Sequence, residues 1–246
     1  MREGFNSIQC PSFGGPDVHP VGRTGVHGVF VALSVMLALS ACGASNDGDE
    51  SNKINGSIHV PAGKPPGAVA TVNGSIHVDD NAAVTTATTV NGSVHLGDHA
   101  SATSLNSVNG SIVLGSGARV SGNVSSVNGD LPLGDGADIS GSLSNVNGKI
   151  SLAAAHVGGG IKTVSGSMNI TGASRVEGGI LVEKASSELV AALVRDVPRI
   201  VIGPGATVQG ELRFERPVKL FVSDKATIGT VTGATPIPFS GESPPT

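Results

Sequence analysis

The phrase Val-Asn-Gly-Ser-Ile, with small variations, returns along this chain at a nearly constant interval. That interval constrains the fold more than any other feature. Its asparagines are Asn55, Asn73, Asn91, Asn109, Asn128 and Asn147, separated by 18, 18, 18, 19 and 19 residues. One more step of 18 reaches Ser165, in the variant Val164-Ser165-Gly166-Ser167. A unit this short cannot bury its own apolar side chains, so copies must stack on one another as a solenoid.

The unit divides again by three. From Val72 to Val120 an apolar residue stands at every sixth position, and after single-residue insertions the series resumes at Val127 and at Val146. Six residues are three periods of two, so such residues stay on one face of an extended chain. Three segments closed by corners predict an all-β fold: a single-stranded parallel β-helix with triangular coils of 18 or 19 residues. Residues 54–232 hold about ten such coils, a rod of roughly 45–50 Å. Glycines near the corners, as in Leu114-Gly115 and Val120-Ser121-Gly122, allow the bends. Separate hairpins built on each Asn-Gly would leave very short strands without a consistent register.

Composition agrees with a narrow coil. The chain has 36 glycines in 246 residues, only 14% charged residues, and no Trp or Tyr. No Phe falls between residues 54 and 200, so Val, Ile, Leu and Ala must fill the core. The net charge of −4 and the lack of a basic stripe exclude nucleic acid as a partner.

Residues 1–41 read as a leader. Val29–Ala41 is a 13-residue apolar run preceded by Arg23, of a length that suits a signal-peptide core and falls short of a membrane span. Residues 1–20, with Pro11, Pro16 and Pro20, fit no targeting region, so the true start is expected downstream, near residues 21–26. Residues 42–53 are polar, acidic and rich in Gly and Ser, as expected of a flexible tether.

Leu39-Ser40-Ala41-Cys42 resembles a bacterial lipobox. The resemblance implies that Cys42 becomes the first mature residue and is lipidated, with palmitate among its acyl chains. Two acyl chains anchor a protein stably where one does not. Gly43, in place of the Asp that retains enteric lipoproteins at the inner membrane, implies the outer membrane instead. Cys10 leaves with the leader, so no disulfide and no cysteine-based metal site remain.

The hexads resemble those of left-handed hexapeptide β-helices, of bactofilins with their right-handed triangular coils, and of adhesin-like families with Val-x-Gly-x-Ile repeats. Parallel crossovers are right-handed by default, with the hexapeptide helices as exceptions, so the repeat is compatible with either hand. Two segments depart from it. In residues 185–198 the four-residue spacing of Leu189 and Leu193, closed by Pro198, predicts a short helix or bulged loop leaving the coil. Residues 233–246 carry Pro236, Pro238, Pro244 and Pro245 and are expected to form a disordered tail or a strap over the end. Phe214 and Phe221 are expected to plug the last layer.

Candidate functional residues follow the columns. The six asparagines are expected to form a structural ladder of stacked amides. His59, His77 and His95 share one position in three successive coils. Imidazoles about 5 Å apart can hold a transition metal or respond to pH. The next coils carry Val113, Pro132 and Ser151 there, so a solvent-facing patch without ligand is the simpler expectation. His99 and His156 read as isolated. The run Val84–Val90 holds four threonines, but later coils replace them, so no ordered ice-binding lattice results. Hexapeptide acyltransferases share the coil, yet an exported protein does not meet acyl-CoA. No catalytic triad, zinc spacing or phosphate loop stands out, and the expectation is a non-enzyme without cofactor. The sequence therefore points to a lipid-anchored, exported solenoid with a structural or adhesive role in the cell envelope. Its expected partners are the membrane and a cell-wall glycan or envelope protein. The alternative is a self-assembling, bactofilin-like scaffold.

Overall fold

The computed structural model describes residues 51–184 and 197–245. Among them there is no helix, and each strand pairs in parallel with the strand one coil away. Ten short strands, from Ile58–Val60 to Ile237–Phe239, stack as the first face. A 16-stranded sheet wraps the other two sides. At about 4.8 Å per rung, ten rungs make a β-solenoid roughly 45 Å long.

Each coil turns six side chains inward. In the coil that opens at Ile112 these are Ile112, Leu114, Ala118, Val120, Val124 and Ser126, none more than 2% exposed. The coils above and below repeat the set, so a single apolar column runs the length of the rod. Burial of such layers against their copies is the main stabilising term.

The valine before each asparagine departs from the every-sixth expectation. Val72, Val90, Val108, Val127, Val146 and Val164 are half-buried outside the core, and the preceding residue takes the inward place. Those inward residues are Thr71, Thr89, Ser107, Ser126, Asn145 and Thr163, all polar and all buried. The cause is strand alternation. Along Ala68–Asn73, Val69 and Thr71 turn inward, so Val72 must turn out. The corner Asn73-Gly74-Ser75 then resets the phase before Ile76 enters the core.

The corner itself dictates the glycine that follows each asparagine. A Cβ on Gly92 would lie 2.0 Å from the carbonyl oxygen of Gly74, and one on Gly110 equally close to that of Gly92. The stacked backbones leave no room for a side chain.

The second and third faces change along the rod. In the early coils one nine-residue strand, Ala83–Asn91 or Ser101–Asn109, serves both. From Val120 onward the strand breaks into two, Arg119–Val120 and Val124–Asn128 in the first such coil. Ser101–Asn109 pairs with both pieces: Ala102 aligns with Val120, and Leu105 with Val124. Two residues separate Ala102 from Leu105 and three separate Val120 from Val124, which locates the extra residue of the 19-residue coils.

One step is far longer. Met168 pairs with Ile200 and Ile180 with Leu212, 32 residues apart where the flanking steps span 18 to 20. The excursion expected at 185–198 falls in this step, and residues 185–196 lie outside the described residues.

The two ends are built differently. At the first coil Lys53 aligns with the buried Thr71, and its ammonium donates to the Ser57 carbonyl at 3.1 Å. At the other end Phe214 lies inward in line with Val182. Phe221 does not plug the layer as expected. Its neighbour Leu220 takes the inward place, so Phe221 faces out and packs with Val201 and Phe239. The proline-rich tail contributes the tenth strand, Ile237–Phe239, alongside Lys219–Ser223. Arg199 stacks 4.5 Å over the Phe221 ring and donates to the Pro245 carbonyl at 2.9 Å, holding the tail against the first face.

Candidate functional site

The corner between the third and first faces carries the longest repeated polar array. Asn73 donates its side-chain N–H to Asn55 Oδ1, Asn91 to Asn73, and Asn109 to Asn91, each at 3.0 Å. Asn128 donates to Asn109 at 3.1 Å, and the Ser165 hydroxyl donates to Asn147 Oδ1 at 3.3 Å. Each amide inside the ladder spends one N–H and one lone pair on its neighbours, leaving one of each for solvent or a ligand. All six asparagines are exposed.

Beneath this ladder lies a second one that sequence reasoning missed. Thr71 donates its hydroxyl to the Gly56 carbonyl at 3.1 Å, and Thr89 to that of Gly74 at 2.9 Å. Asn145 repeats the contact with Gly129 at 3.1 Å. Each reaches back one coil, to the glycine of the corner below, so a buried donor is matched by a backbone carbonyl, although Asn145 keeps a buried Oδ1 without a partner. The signal was present: a Thr, Ser or Asn stands two positions before each asparagine from Asn73 to Asn147.

The histidine column lies on the first face. His59, His77 and His95 are aligned by strand pairing, with Val113 next in line. The rings of His77 and His95 are stacked at 4.8 Å, and His59 is tilted against His77 at 5.6 Å. Nε2 of His59 stands 2.8 Å from Asp79 Oδ2, and Nε2 of His77 stands 3.5 Å from Oδ1 of the same carboxylate. Among the described residues no group of three or more His, Cys, Asp or Glu side chains is arranged to hold a metal ion.

His156 is not isolated. It sits on the second face between Asp138 and Arg175 in register, with Nδ1 against Asp138 and Nε2 3.5 Å from Glu177. Glu177 in turn accepts from Arg175 Nε at 3.1 Å. His99 stands alone in a left-handed conformation, φ 56°, with its ring covering Gly117. A cleft of about 300 Å³ lies over the first coil between Val60, Lys64, Pro65 and Val84 and gathers no set of reactive groups.

Cys42 and the apolar run before it lie outside the described residues. Among the described residues no helix is long and apolar enough to cross a membrane. Comparison with family models, curated proteins and solved structures finds no match to this chain.

Proposed function

We propose that this protein is an exported lipoprotein whose solenoid serves a non-enzymatic structural or adhesive role in the cell envelope. The observation that carries the proposal is the sequence Val29–Ala41 ending in Leu39-Ser40-Ala41-Cys42, followed within ten residues by the first strand, Asn52–Asn55. A ten-residue tether reaches at most about 35 Å, so the rod stands close to the bilayer surface. Gly43 favours the outer membrane over the inner. The exposed amide and hydroxyl rows are suited to hydrogen bonding with a cell-wall glycan or an envelope protein, and no cofactor is invoked.

The test is membrane fractionation with metabolic acyl labelling of wild type and Cys42→Ser. Label and membrane retention should vanish together in the variant. A wild type that is soluble and unlabelled would sink the proposal.

The alternative, an end-to-end scaffold of the bactofilin kind, is favoured by one observation. Val222, Ala226, Ile228 and Val231 in the last coil are only half-buried and offer an apolar layer. Lys53 and Pro61, Pro65 and Pro66 at the other end oppose it, because a charge on the inward column and missing N–H donors discourage a stacked neighbour.

A further inference from the structure

The outward valines form a continuous feature with no role in the core. Lys53 aligns with Thr71 and Asn55 with Asn73, so Ile54 stands in line with Val72 and begins the stripe. Ile54 is 64% exposed, and the valine of each following coil is half-buried outside the core cluster. One apolar residue thus recurs at every rung from Ile54 to Val164. The exposed asparagine ladder borders it on one side. On the other runs a row that passes through Ala70, Thr88, Asn106, Ser125 and Ser144 before its first charge, at Lys162.

Such a face is unusual on a soluble rod. Exposed sheet surfaces are normally broken up by charge, and a contiguous apolar stripe marks a contact surface. Here three rows carry no charge over five consecutive rungs. The profile is that of a cross-β sheet face, in which identical side chains repeat at the strand spacing beside a ladder of amides. A partner can engage every rung only if it repeats with the same pitch and has no charge to strand against the stripe. A second copy of this chain meets both conditions by construction.

We propose that two copies of this protein pair laterally through the face formed by the Ile54–Val164 stripe and the asparagine ladder, as an isologous dimer. Valine rows would meet valine rows, as in a dry zipper, and the free amide groups would bond across the rim. The charge-free part of this face, five rungs or about 24 Å tall and three rows wide, is smaller than a standard stable interface, so the dimer is weak in solution. Membrane anchoring, if present, would raise the effective concentration of one rod near another. The pairing itself does not depend on the anchor, and it differs from end-to-end stacking in the surface used.

Sedimentation equilibrium of the full chain carrying Cys42→Ser tests it over a wide concentration range. A reversible monomer–dimer equilibrium is expected. Val108→Lys, which charges the centre of the stripe on both copies, should raise the dimer Kd by about tenfold or more. Val108→Thr keeps the shape and the strand preference, so it guards against a folding artefact and should weaken the dimer in the same direction. Ile228→Lys charges the end layer and should leave the dimer intact. A chain that stays monomeric at the highest concentration overturns the proposal. So does a dimer indifferent to both Val108 variants, or one lost only with Ile228→Lys. Binding to insoluble β-glucan that depends on Val108 without self-association would assign the face to a glycan and overturn self-pairing.

Discussion

The first half of the rod and the second solve the same geometric problem differently. Before Val120, the chain passes from second to third face through two residues, Thr85-Thr86 or Thr103-Ser104, inside an unbroken strand. After it, three residues do so in every coil but the last, as in Ser140-Gly141-Ser142 and Gly158-Gly159-Gly160, and the strand breaks; the last coil passes through Gly229-Thr230. The added residue brings the stacked corners into contact. A Cβ on Gly141 would lie 2.4 Å from the Gly122 carbonyl oxygen, and one on Gly178 2.5 Å from the Gly159 carbonyl carbon. The two-residue bend tolerates β-branched threonine, whereas the three-residue corner requires glycine at its centre. A single inserted residue thus changes which amino acids the column accepts. The surface chemistry changes with it. Among the described residues the ion pairs of Lys and Arg with Glu, such as Lys162 with Glu183 at 2.8 Å and Arg213 with Glu215 at 3.0 Å, lie in the later coils, whereas the early coils carry the amide ladder and the carboxylates of Asp79, Asp80 and Asp98.

The largest effect is expected from overfilling a glycine column that both halves share. Gly110→Ala places a methyl group 2.0 Å from the Gly92 carbonyl oxygen, against backbone that cannot yield without parting two coils. The expected cost is about 4 kcal/mol or more, read from urea unfolding, and cooperative unfolding of the early coils should be lost. Gly67→Ala, where nothing lies within 4 Å of the added atom, is the matched control and should be near neutral. Equal stability of the two variants would mean that the coils are not stacked as closely as described.

The coil was legible because its period is written in side chains that have no freedom. Asn55 to Asn147 mark one corner, and Leu96, Leu114 and Leu133 another, so fold class and coil length followed directly. The phase within the coil was not legible. Apolar spacing of six placed Val72 and its successors inward, because valine is the residue one expects in a core. Only the corner geometry shows that Thr71 occupies the core and Val72 the surface. The buried polar column went unread for the same reason: a threonine satisfied by a carbonyl one coil away looks, in sequence, like a surface threonine. His156 looked isolated because its partners Asp138 and Glu177 lie 18 and 21 residues distant, one coil down and one coil up. The site suffers more than the fold. The asparagine and histidine columns could be listed from the sequence, but their bonding and exposure, which decide what they can hold, come only with the register.

The buried column gives an intermediate effect that separates the two halves. Thr89→Val is nearly isosteric and removes the donor to the Gly74 carbonyl, leaving a buried acceptor without it. A loss of about 1–2 kcal/mol in urea unfolding is expected. The same column turns apolar in the later coils, where Thr163 is followed by Val182 and then Phe214. Val182→Thr exchanges a buried methyl for a hydroxyl between Thr163 and the Phe214 ring and should also destabilise, by a similar amount. The two exchanges are opposite in chemistry and should agree in sign. If either is neutral, the choice of polar or apolar at this column is not set by what lies one coil away.

The smallest effect concerns the surface ladders and is read through salt. Asn91→Ala removes two amide bonds, to Asn73 and from Asn109, in the early half. Asp138→Asn removes the carboxylate beside His156 in the later half, where both side chains are 37% exposed. Each should cost no more than about 1 kcal/mol, because exposed hydrogen bonds and exposed ion pairs are both largely offset by water. Added salt distinguishes them. Screening weakens the interactions of a carboxylate set in register between Arg119 and His156, so the gap between Asp138→Asn and wild type should change between low and high ionic strength. The amide ladder carries no net charge, and the Asn91→Ala gap should stay constant. Matching salt responses would mean that the later coils draw their surface cohesion from hydrogen bonding and backbone stacking, as the amide ladder of the early coils does.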